Sequence, residues 1–141
     1  MKIKRETFAV LCSLVLVMGC QTNSRDQVLA TSASAVQLRS FQSRAFETTD
    51  RDKMLRTVIA TLQDLGFVVD NADATLGTVS GTKLDGYALR MTVSLRPRGQ
   101  AQTVVRANAQ YNIVAVEDPQ PYQQFFAALE KALFLTAQQV D

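Results

Sequence analysis

The chain has 141 residues, with fifteen lysines and arginines against thirteen aspartates and glutamates for a formal charge of +2, no histidine, no tryptophan and two cysteines. Both cysteines, Cys12 and Cys20, fall within the first twenty residues, so everything after them lacks thiol and imidazole. That excludes from residues 21–141 the zinc sites, Ser-His-Asp and Cys-His nucleophile systems and haem ligation built on those side chains, leaving carboxylate, lysine or tyrosine chemistry, or none.

Met1-Lys2-Ile3-Lys4-Arg5 is a short basic stretch, and Phe8 to Met18 is a mostly apolar run of eleven residues, about half of the ~20 that cross a bilayer core as a helix. This arrangement predicts an export signal over residues 1–19 rather than a permanent span. Val17-Met18-Gly19-Cys20 resembles the lipobox of bacterial lipoproteins, with a branched apolar residue, a small residue beside the cut and then cysteine; Met18 is unusual at its position. The resemblance implies cleavage before Cys20 and acyl chains such as palmitate on its sulfur and α-amine, a far firmer membrane attachment than one chain gives. Gln21 stands where inner-membrane retention favours Asp, which implies the periplasmic face of the outer membrane. Cleavage removes Lys2, Lys4, Arg5 and Glu6, leaving twelve basic and twelve acidic side chains. A nucleic-acid partner, which needs a basic face, is therefore not expected.

Residues 20–35 read as the lipidated N-terminus and a small, polar tether, with an expected root-mean-square span of roughly 20 Å. Residues 36–141 are the right size for a single domain with one modest core. Val36 to Phe46 predicts an edge strand with a bulge, because Val36, Leu38 and Phe46 share one parity and Phe41 has the other. Thr49 is the expected N-cap of a helix carrying Met54, Leu55, Val58, Ile59, Leu62 and Leu65 on one face and ending at Gly66. Phe67-Val68-Val69 predicts a buried strand and Asp70-Asn71-Ala72-Asp73 a turn, with a second strand over Gly77 to Lys83. Asp85-Gly86 is a hairpin signal.

The next two strands alternate cleanly. Tyr87, Leu89, Met91, Val93 and Leu95 predict a core face, followed after a turn at Arg96 to Gln100 by Val105, Ala107, Ala109, Tyr111 and Ile113. Asp118-Pro119 opens a last helix, whose face is Tyr122, Phe125, Phe126, Leu129, Ala132 and Leu133, widened by Phe134 and Leu135. The expected fold is α+β, in the order β-α-β-β-β-β-α, with an antiparallel sheet of four to five strands and two helices packed on one face.

Leu62-Gln63-Asp64-Leu65-Gly66-Phe67, Tyr122-Gln123-Gln124-Phe125-Phe126 and Lys131-Ala132-Leu133-Phe134-Leu135 resemble segments of a family of small proteobacterial lipoproteins. Some members lie beside efflux-type export genes, so the resemblance implies an envelope transport or efflux complex as the partner. The element order also resembles the helix-grip domains of accessory lipoproteins in the outer-membrane β-barrel assembly machinery, an analogy of architecture alone.

The first candidate site is the polar sheet face, where Arg90, Arg96 and Arg106 lie among Thr92, Ser94, Asn108 and Gln110. Arginine forks suit carboxylates or phosphates on a protein partner, although the same pattern also describes a solvated face with spaced charges. Asp70, Asp73 and Asp85 lack the spacing of a calcium loop, so no metal is expected. Asp64 with Lys53 and Arg56 offers acid–base groups on a helix surface, and Phe125, Phe126 and Phe134 offer either core or a hydrophobic-ligand pocket. No catalytic residue or cofactor is expected. The expected function is a non-enzymatic binding or assembly accessory, or alternatively a carrier of a lipid or hydrophobic ligand.

Overall fold

A computed structural model describes residues 35–138, without the side chains of Asp85 and of residues 135–138. The export signal, Cys20 and the polar tether lie outside the described residues. Helix α1 (residues 35–42) leads into β1 (Ser43–Phe46), followed by α2 (Arg51–Asp64) and β2 (Val68–Asp73). The chain continues through β3 (Thr78–Asp85), β4 (Tyr87–Arg98), β5 (Gln102–Tyr111), a short β6 (Val114–Ala115) and α3 (Gln120–Gln138). The fold is α+β. Six antiparallel strands form one sheet in the order β1-β5-β4-β3-β2, and β6 pairs with the edge of β5 beyond β1.

One face of this sheet is core. Val79, Val93 and Ala107 sit in one register row, with Met91 opposite Ala109 and Leu95 opposite Val105, and all are buried. Helix α2 lays Met54, Leu55, Val58 and Leu62 on that face, and α3 lays down Tyr122, Phe125, Phe126 and Leu129. Small Ala107 and Ala109 leave room beneath large rings, two of which, Phe125 and Phe126, meet edge to face at 5.1 Å. Thr57 and Thr61 are buried within α2 because each hydroxyl donates to the carbonyl four residues earlier, at 2.8 Å.

Several elements differ from their sequence expectation. Residues 35–42 are helix, and only Ser43–Phe46 is strand. The broken alternation is a helical repeat in which Leu38, Phe41 and Gln42, three and four apart, turn toward the core. Asp50, not Thr49, caps α2, its Oδ1 accepting from Lys53 N at 2.9 Å. Asp70 to Asp73 is not a turn but the body of β2, and Val68, expected to be buried, is 72% exposed on this edge strand. The turn comes instead at residues 74–77, where Asp73 accepts the amides of Leu76 and Gly77.

Pro97 lies within β4 rather than in a turn. Leu95 N–H points to the β3 side, to Gly77 O, and Pro97 has the same parity beyond the start of β3, so no acceptor loses a donor. Tyr87, Tyr111, Ile113 and Phe134, all expected on core faces, are exposed. The strand ends at Tyr111, where Asn112 turns the chain at φ +53°, and Phe134 lies about 100° around α3 from half-buried Leu133.

A polar junction closes the gap between β1 and β6 on the edge of β5. Tyr122 Oη donates to Val116 O at 2.8 Å and accepts from Ala109 N at 3.2 Å and Gln42 Nε2 at 3.3 Å. It stands in for a missing ladder bond, and Val116 N completes the patch by donating to Ala109 O.

Candidate functional site

The sheet face opposite the helices is assembled from the even-numbered residues of β3, β4 and β5. Its rows run Thr78-Ser94-Arg106-Ser43, Asn71-Ser80-Thr92-Asn108 and Val68-Thr82-Arg90-Gln110. The hydrophobic core lies on the other face, and what reaches this one from the described helices is Gln42, at the end of α1, which is buried and lines a cavity of about 290 Å³ with Arg90, Thr92, Asn108 and Gln110.

Arg90, Arg96 and Arg106 all project exposed from this face, as the alternation predicts. The register does not bring them together equally. Arg106 stands opposite Ser94, so Arg96 is its diagonal neighbour at about 7–8 Å, within reach of one shared anion. Arg90 stands opposite Gln110, four residues along β5 from Arg106, or roughly 13 Å further down the strand. It also has company: Asp70 shares this face with Val68, and the bulge between Val69 and Asn71 brings Asn71 onto it as well; Asp70 Oδ2 accepts from Thr82 Oγ1 at 2.6 Å and lies 3.8 Å from Arg90 Nε. An exposed pair of this kind contributes little to stability. The arginine-rich end is therefore Arg96 with Arg106, and Arg98 extends it along β4.

Sequence reading missed the groups around Arg96. Thr49, Arg51, Pro97, Gly99, Gln102 and Thr103 line a cavity of about 150 Å³ with it. Arg51 crosses to Thr75 O at 2.7 Å and packs over Gly77, leaving its buried Nε without a partner. Only the position of Arg51 at the start of a helix hinted at this.

The remaining candidates separate. Lys53 and Asp64 stand at opposite ends of α2, about 16 Å apart along its axis, with Arg56 between, so no acid–base pair forms. Asp70 serves Thr82 and Arg90 while Asp73 caps its turn; among the described residues no three potential metal ligands gather. Phe125 and Phe126 are fully buried core. Phe134 is 63% exposed beside a cleft of about 380 Å³ lined with Phe46, Met54, Lys53 and Leu133.

Compared with known proteins, the chain matches no family model and has no significant match among curated proteins.

Proposed function

We propose that this chain is an outer-membrane lipoprotein, anchored through acyl chains on Cys20, whose periplasmic domain is a non-enzymatic binding or assembly accessory of an envelope complex, with transport or efflux as the candidate process. The observation that carries this reading is the polar sheet face turned away from α2 and α3, on which Arg96 and Arg106 stand exposed as diagonal neighbours among short polar side chains. Two guanidinium forks at that separation suit the carboxylates of a protein partner. The lipid confines the domain beside that partner and raises effective concentration, so contacts need not be tight. The helix-grip likeness belongs to the same reading, supported by two helices laid on one face of an antiparallel sheet. Crosslinking in intact cells tests it: Arg96→Ser with Arg106→Ser abolishes the main crosslinked product, whereas an unchanged product rejects this face as the docking surface.

The cleft at Phe134 favours a second reading, carriage of a small hydrophobic ligand. Its volume of about 380 Å³ lies at the small end of ligand sites, too little for a whole diacyl lipid. Native mass measurement of protein released from cells separates the two, since a carrier retains bound mass.

A further inference from the structure

Two adjoining turns at one end of the sheet leave apolar side chains in the open. Leu84, one residue before the end of β3, is 83% exposed and Tyr87 begins β4 at 72%; after β5, Ile113 is 91% and Val114 67% exposed. They crown the same end of the sheet, Tyr87, Tyr111 and Val114 on the helix side of the tip and Leu84 on its open side. Asn112 N donates to Ala88 O at 3.2 Å, tying the turns together, and the rings of Tyr87 and Tyr111 meet edge to face at 6.3 Å. Isolated exposed apolar residues are ordinary, whereas a contiguous set held on a fixed frame marks a contact site.

The path of the chain leaves a membrane within reach of this end. Strand β1 begins at Ser43 against Arg106 and runs to Phe46 against Thr103, so the backbone enters it from the end of β5 that carries Tyr111. Only fourteen residues separate Cys20 from residue 35, which limits their separation to about 50 Å. The composition fits a bilayer surface: tyrosine places its ring at the interface with its hydroxyl wet, while Leu84, Ile113 and Val114 carry no polar group. Along the sequence around these turns the charged residues are mixed in sign, with Lys83, Asp85, Arg90, Glu117 and Asp118, so no run of basic residues favours anionic lipid.

We propose that this turn end is a membrane-contact site, seating Leu84, Ile113 and Val114 in the interfacial layer of a zwitterionic phospholipid bilayer as a second point of attachment. The inference rests on the lipid anchor at Cys20 and extends it: the strands stand on the membrane, and the open sheet face looks along its surface.

The test uses the lipidated full-length protein purified from envelopes, with an environment-sensitive fluorophore on Ile113→Cys or, as control, Asn108→Cys, mixed with phosphatidylcholine vesicles. Flotation reports the anchor independently of the probe. The proposal predicts flotation, a blue shift and lipid-borne quenching at position 113 only, all insensitive to added salt. Flotation with a water-like probe at 113 overturns the contact site and leaves the anchor standing. Failure to float overturns the anchor and this inference together. A shift that follows protein concentration rather than vesicles assigns the cluster to a second copy of the chain and also overturns the proposal.

Discussion

Tyr122 shows how much one hydroxyl holds in this fold. Helical spacing places its ring on the buried face of α3, and that much is legible in the sequence. The three hydrogen bonds of its Oη are not, because they depend on where β1 stops and β6 begins along β5. Tyr122→Phe keeps the packing and strands buried Ala109 N and Val116 O, so it lowers unfolding free energy by about 1–3 kcal/mol in urea titration. Gly77 is the second such residue. It has φ +68°, and a Cβ there would lie 2.6 Å from an Arg51 guanidinium nitrogen. Gly77→Ala therefore costs more than the roughly 1–2 kcal/mol of a left-handed alanine alone. Adding Arg51→Ala recovers part of the loss in the same titration, and no recovery means the clash is not its cause.

At the scale of elements, the long alternating strands and both amphipathic helices were legible because burial imposes their periods of 2 and 3.6. The short elements were not. In eight residues of α1, Leu38, Phe41 and Gln42 fit a bulged strand as well as a helix, and only contacts with distant Tyr122 decide between them. Phe41 packs against that ring at 5.7 Å. Phe41→Ala accordingly destabilises the whole domain by about 2 kcal/mol, less than a fully buried phenylalanine, in a single cooperative transition. An unchanged midpoint would mean that α1 is a detachable appendage. The cap of α2 moved from Thr49 to Asp50, since either can accept from a first-turn amide and the loop from β1 decides which does. Asp50→Ala costs about 1 kcal/mol by the same measurement, and Thr49→Ala much less.

For the whole molecule, the division of the sheet into a helix-covered core and an open polar face follows from the alternation of β4 and β5, and the sequence places Arg90, Arg96 and Arg106 on the open side for that reason. What alternation cannot supply is register. Which arginines stand close depends on the pairing of Ser94 with Arg106, fixed by the turn at Gly99, and Arg90 meets Asp70 through the pairing of β2 with β3 and of β3 with β4. The exposed turn end was misread at Tyr87, Tyr111 and Ile113 because a correct strand period says nothing of how far the covering helices extend.

The central claim is that a lipid-held domain offers this open face to an envelope partner. The most direct measurement places a photo-crosslinking side chain at Asn108 on the open face, or at Arg56 on the exposed side of α2, in intact cells. The account predicts a discrete protein adduct from position 108, absent from position 56 and lost when Cys20→Ser removes the anchor. Equal adducts from both positions, or an adduct from 108 that survives loss of the anchor, would contradict it.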